Sequence, residues 1–266
     1  MRDDNMNEAA NDGATPAPGP AAVDESWAAR RRRRLRRALL RAADRAINGL
    51  YSLAAGLDRW RPAERRYFRV AIFGSSRAQP DDAIYQRVRH LGRELSLMGC
   101  DIVTGGGPGL MTAANEGARL GAYRYQTRSF GLDILLPIEE QPNPFLDEVS
   151  RHRTFFSRLH QFIRLSHAYV VVDGGLGTTL EAMMVWQLLQ VGLLEERPLI
   201  FVGDRWSGLR RWVERDVVAA GLASPRDLEL VHWTTSDEEA LAVIRQARDR
   251  FLARHEVVLP PPAEEP

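Results

Sequence analysis

Three times in this chain a strand-like run stops at a glycine-rich loop that opens onto helical spacing. The runs are 67–73, ending at Gly74-Ser75-Ser76, then 101–104, ending at Gly105-Gly106-Gly107-Pro108-Gly109, and 168–172, ending at Asp173-Gly174-Gly175-Leu176-Gly177. Mainly apolar runs such as 67–73 and 168–172 describe strands covered on both faces, and strand–loop–helix units in series close as a parallel sheet with helices on both sides. The expected fold is therefore α/β, a doubly wound, Rossmann-like sheet. Its ligands belong beyond the carboxyl ends of the strands.

The remaining pattern extends the series. Helical spacing is predicted over 81–98, from 110, over 153–166, from the glycines at 174–178 to 191, over 206–220 and over 236–254. Strands are predicted over 129–136 and 198–202, with an edge strand over 228–233, and a proline-rich connection runs through Gln141-Pro142-Asn143-Pro144. The nucleotide-binding-type domain then covers 67–256, followed by a loose tail over 257–266. Residues 1–25, rich in proline and small or acidic residues, bury too little apolar surface to offset ordering entropy, and disorder is expected. Residues 26–66 read as a basic helical arm, with nine arginines between 30 and 45 against one acid, Asp44, and an apolar stripe from Leu39 to Trp60. The favoured reading is a solvated basic face whose stripe packs on the body or on a second subunit. Contact with nucleic acid or an anionic membrane through residues 30–45 is the less favoured alternative.

Composition excludes some chemistry. All 36 basic residues are arginine, so the Schiff-base lysine of a pyridoxal-phosphate enzyme and the lysine of a P-loop are both missing. Anions must be held by arginine forks, backbone N–H groups and helix N-termini. One cysteine, Cys100, rules out an internal disulfide framework and a multi-cysteine zinc site. His152, His160 and His167 lie at irregular spacings with no acid cluster, so no metal is expected, and no cofactor. No apolar run is long enough to cross a membrane and the first residues do not resemble a secretory signal; the expectation is a cytoplasmic protein.

The glycine loops carry the candidate site. Gly174, Gly175 and Gly177 let the backbone approach an anion, the helix that follows offers free N–H groups, and Thr178 and Thr179 add hydroxyls. A tight turn into a capped helix is the plain alternative. The second loop, with Gly105, Gly106, Gly107 and Gly109, can close on the same ligand, as can Gly74 and Ser75. Glu181 is placed in the first turn of the following helix, where the dipole favours an ionised carboxylate, and Arg158 lies on the preceding helix.

Gly105-Gly106-Gly107-Pro108-Gly109-Leu110-Met111, Phe155-Phe156-Ser157-Arg158 and Gly174-Gly175-Leu176-Gly177-Thr178-Thr179-Leu180-Glu181 together resemble the LOG (LONELY GUY) family of nucleoside-monophosphate phosphoribohydrolases, long mislabelled as lysine decarboxylases. The resemblance runs from about residue 68 to 251. It implies hydrolysis of the N-glycosidic bond of a purine nucleoside 5′-monophosphate, such as AMP or a cytokinin riboside monophosphate, to free base and ribose 5-phosphate. It also implies a homodimer with sites completed near the subunit interface. Glu181 would stabilise oxocarbenium-like charge on the ribose and orient or deprotonate water, and Arg158 would bind the nucleotide and assist at the ribose or base. Gly175, Gly177, Thr178 and Thr179 would hold the 5′-phosphate, while Gly74, Ser75 and the 105–109 glycines would line the rest. Two positions depart from the family pattern: Leu159 stands for a lysine and Asp173 for a proline. An acid at 173 facing inward would repel the phosphate. A nucleotide-binding or sensing protein without turnover is the alternative function.

Overall fold

The computed structural model describes residues 67–135 and 141–265. The chain separates into two units, 1–63 and 64–266. The disorder expected over 1–25 and the basic arm expected over 26–66 lie outside the described residues.

The second unit alternates strand and helix. Its strands are β1 (Phe68–Phe73), β2 (Cys100–Thr104), β3 (Ser129–Ile134), β4 (Glu148–His152), β5 (Ala168–Val171), β6 (Leu199–Val202) and β7 (Val231–Thr234). Its helices are α1 (Ala83–Leu97), α2 (Leu110–Gly121), α3 (Phe155–Leu165), α4 (Leu176–Gln190), α5 (Ser207–Trp212), α6 (Pro225–Glu229) and α7 (Asp237–Arg254). The strands form one sheet in the order β4-β3-β2-β1-β5-β6-β7, every neighbouring pair parallel. This is the doubly wound fold that the apolar runs predict.

The mainly apolar strands are explained by two cores. Every residue of β1 is buried. Val70 and Ile72 face one layer, with Leu91 and Leu95 of α1, Leu110 of α2 and Ile244 of α7. Ala71 and Phe73 face the other, with Phe162 of α3 and Ala182, Val185 and Trp186 of α4. Burying side chains of this size contributes roughly 1.5–3 kcal/mol each, so period-2 alternation inside an apolar run commits both faces of the sheet. Helix starts follow local chemistry. Thr154 Oγ1 accepts from the Ser157 N–H (3.2 Å) at the head of α3, and Ser236 caps α7, whose first turn holds Asp237, Glu238 and Glu239.

The structure adds and shifts elements. Strand β4 has no counterpart in the apolar pattern: Glu-Val-Ser-Arg-His is a mostly exposed edge, paired on one side only, so nothing selects for apolar residues there. The helix expected over 206–220 is three pieces: a 3-10 turn (Asp204–Trp206), α5, and a π-type turn over Val213–Val218. The edge strand begins only at Val231, because Pro225 and the Ser224 N–H bond to Asp227 (2.7 Å) start α6 upstream. Residues 257–265 carry no helix or strand; Ala263 N–H donates to Arg124 O (2.9 Å) and Arg93 pairs with Glu265 (3.1 Å).

Candidate active site

Strand β1 pairs with β2 on one side and with β5 on the other, so the loops that leave the carboxyl ends of β1 and β5 flank the point where strand order reverses. A cavity of about 870 Å³ opens there. Its walls come from the loops after β1, β2, β3, β5 and β6, with Arg158 from α3 and Thr178 and Glu181 from α4. Backbone hydrogen bonds join the loops: the Ser75 N–H donates to Asp173 O (2.9 Å) and the Leu110 N–H to Ser75 O (2.8 Å).

Of the residues singled out by sequence, Gly74, Ser75, Gly105, Gly107, Arg158, Gly174, Gly175, Gly177, Thr178 and Glu181 line this cavity. Gly106, Gly109 and Thr179 do not, and each has another task. Gly106 and Gly109 have φ of 78° and 71°, a left-handed region that disfavours side chains, and a Cβ at Gly109 would overlap Ser75 O. The Gly106 carbonyl accepts from both the N–H (2.9 Å) and the Nδ2 (3.1 Å) of Asn143, which locks the loop from behind. Thr179 Oγ1 donates to Gly175 O (3.0 Å) inside its own helix start. Gly175 and Gly177 are the opposite case, since a Cβ at either would meet open space. Packing does not require those two glycines.

Arg158 and Glu181 meet across the cavity wall, Nη2 to Oε1 at 3.2 Å, with both side chains nearly nine-tenths buried. Room for the guanidinium depends on Gly105, where a Cβ would overlap Arg158 Nη2. Glu181 lies beyond the first turn of α4, which begins at Leu176. The expectation of a first-turn carboxylate is corrected accordingly, because the helix dipole acts mainly within the terminal turn. Burial, only partly offset by Arg158, pushes the Glu181 carboxyl up to about 7. Arg158 keeps its Nε buried without a hydrogen-bond partner. A buried donor left unmade costs about 1–3 kcal/mol.

Both departures from the sequence pattern find a place. Leu159 is buried and does not line the cavity. Asp173 does line it, and its Oδ2 accepts from Arg205 Nε at 2.6 Å. Sequence reading missed Arg205, Arg77, Asp82 and Asp133, all of which line the cavity. Arg205 and Asp133 each sit at or just past the end of a strand, the position the carboxyl-end rule marks. Among the described residues no group of His, Cys, Asp and Glu is placed to hold a metal ion, and His167 Nδ1 accepts from the Arg69 N–H (3.0 Å).

Comparison with known proteins places the chain in a family. Residues 111–244 match the family profile described as "Possible lysine decarboxylase", and the chain belongs to that family, the one its motifs resemble. The decarboxylase in that description would need a Schiff-base lysine if it used pyridoxal phosphate, and this sequence has none. Among curated relatives, the pyrimidine/purine nucleotide 5′-monophosphate nucleosidases of Escherichia coli strains K12 and O157:H7 are each 30% identical over 144 residues. The match covers 52% of this chain and 31% of the relative, so the chain spans under a third of the length of those proteins. Among solved structures, the Moco carrier protein of Chlamydomonas reinhardtii is 19% identical with a TM-score of 0.51, covering 70% of this chain and 99% of that one. The molybdenum cofactor binding protein of Rippkaea orientalis is 19% identical with a TM-score of 0.50, over 68% and 97%. These two share the fold. Among the described residues no helix is long and apolar enough to cross a membrane.

Proposed function

We propose that the protein is a cytoplasmic homodimeric phosphoribohydrolase that cleaves purine nucleoside 5′-monophosphates to free base and ribose 5-phosphate. The observation that carries the reading is the buried Arg158–Glu181 pair, with an unpartnered Arg158 Nε, beside glycines that leave open space at the head of α4. The N–H groups around Gly175 and Gly177 and the Thr178 hydroxyl would hold the 5′-phosphate, with the α4 dipole favouring its charge. Breaking the C1′–N bond sends its electron pair to the base and leaves positive charge on the ribose. An ionised Glu181 opposes that charge and takes a proton from the water whose oxygen bonds to C1′. Arg158 anchors the nucleotide and donates toward the ribose or the departing base.

Incubation with AMP, GMP, CMP and isopentenyl-AMP followed by chromatography tests the reading; base and ribose 5-phosphate should appear in equal amounts. Glu181→Gln should lower kcat at least a hundredfold while AMP still binds. AMP bound without any base released would select instead a nucleotide-binding protein of the same fold, the reading that Leu159 in place of a lysine favours.

A further inference from the structure

The cavity wall contains an acid where a phosphate site should repel one. Asp173 immediately precedes Gly174 and Gly175, and its side chain lines the same cavity. An unpaired carboxylate beside a phosphate would oppose binding by like-charge repulsion. Arg205 changes this balance. It reaches Asp173 because Gly203, with φ of 112°, turns the chain at the end of β6 close against Asp173 Oδ1. Arg205 lines the same cavity, and the contact engages Nε alone, so the two Nη groups of its guanidinium are left as donors.

We propose that Arg205, braced by Asp173, is a phosphate ligand of this site and a determinant of its preference for phosphorylated nucleosides. The inference rests on the nucleotide reading above and names a residue which that reading does not use. Three observations carry it. Arg158, the buried cation of the cavity, is already paired with Glu181. The side chain of Arg205 is 78% exposed, so its pair with Asp173 is weak, and the fork can turn toward a dianion at small cost. A guanidinium offers two parallel N–H bonds to phosphate oxygens while its Nε stays on a carboxylate. In a chain without lysine the duty falls to an arginine held by an acid, and Asp173 is that acid.

The test measures binding by calorimetry in a Glu181→Gln background, which prevents turnover, using AMP and, as a phosphate-free control, adenosine. Arg205→Ala should weaken AMP by roughly 10- to 100-fold, as expected for loss of a charge-assisted bond, and change adenosine less than twofold. Arg205→Lys should recover part of the loss. In an Asp173→Asn background Arg205→Ala should still weaken AMP at least fivefold. AMP affinity within twofold of the parent, equal losses for AMP and adenosine, or no effect of Arg205→Ala once Asp173 is neutral would overturn the proposal. The last of these would reduce Arg205 to a mask for Asp173. Base release by the wild-type protein is measured separately. The predicted AMP pattern without base release keeps Arg205 as the ligand and removes the hydrolase reading, whereas no nucleotide binding by the wild-type protein removes both.

Discussion

At the scale of single residues the chemistry is concentrated in how burial sets the state of one carboxyl. Glu181 titrates near 7 because desolvation outweighs the Arg158 charge. If its ionised form is the catalytic one, kcat/KM should rise through about pH 7 and level off above it, and a profile flat from pH 5 to 9 would contradict that role. The same shift has a stability sign. A carboxyl raised from 4.5 in the unfolded chain to about 7 in the folded one contributes stability fully below about pH 4.5 that is lost as pH rises through 7. The full loss is at most about 3 kcal/mol. Glu181→Gln should therefore lose less stability than the wild type between pH 5 and 8 in urea titrations. Gly105 offers a separate check: Gly105→Ala pushes on the Arg158 guanidinium and should cut kcat/KM by roughly tenfold or more with little change in Tm. The place of Gly105 could be read from its loop, but its reason could not, since the side chain it spares lies on α3. Arg205 was invisible for a similar cause. Its partner Asp173 is adjacent to it only because β5 and β6 are neighbours in the sheet.

At the scale of elements, what was legible is what local chemistry controls. Mainly apolar runs marked β1 and β5 because both of their faces are covered, whereas β2, which carries Asp101 and Thr104, was marked by the glycine loop that follows it. β4 carried no such mark because its exposed edge makes no comparable demand. The crossing of α1 and α2 depends on glycines for another reason, close backbone approach. A Cβ at Gly92 would overlap the Ala114 carbonyl, and one at Gly117 the Arg89 carbonyl. Gly117→Ala should accordingly destabilise the protein by about 1–3 kcal/mol in urea unfolding, although alanine is the better helix former. An unchanged midpoint would mean that the helices separate freely. The α2 end of this pair matters to the site, because the Leu110 N–H bonds Ser75 and Asn115 accepts from Thr104 Oγ1 (2.7 Å) behind the second glycine loop.

At the scale of the whole molecule, a near-neutral chain without lysine places three arginines, Arg77, Arg158 and Arg205, on different loops and helices around one cavity. The proposed dimer belongs to this scale. Phe156 and Leu176 are 84% and 91% exposed and lie close in sequence to the two members of the buried ion pair, which is where an apolar face awaiting a second copy would bear on the site. Phe156→Glu with Leu176→Glu should shift the mass measured by light scattering from two chains to one. A monomeric wild type would end the dimer proposal. The central claim, that this cavity hydrolyses nucleoside monophosphates, is tested most directly by product analysis of AMP incubated with the wild-type protein and with Glu181→Gln side by side. The account predicts adenine and ribose 5-phosphate in equal amounts from the wild type and at least a hundredfold less from the variant. Adenine release that is the same in both, or absent from the wild type with every nucleotide offered, would contradict it.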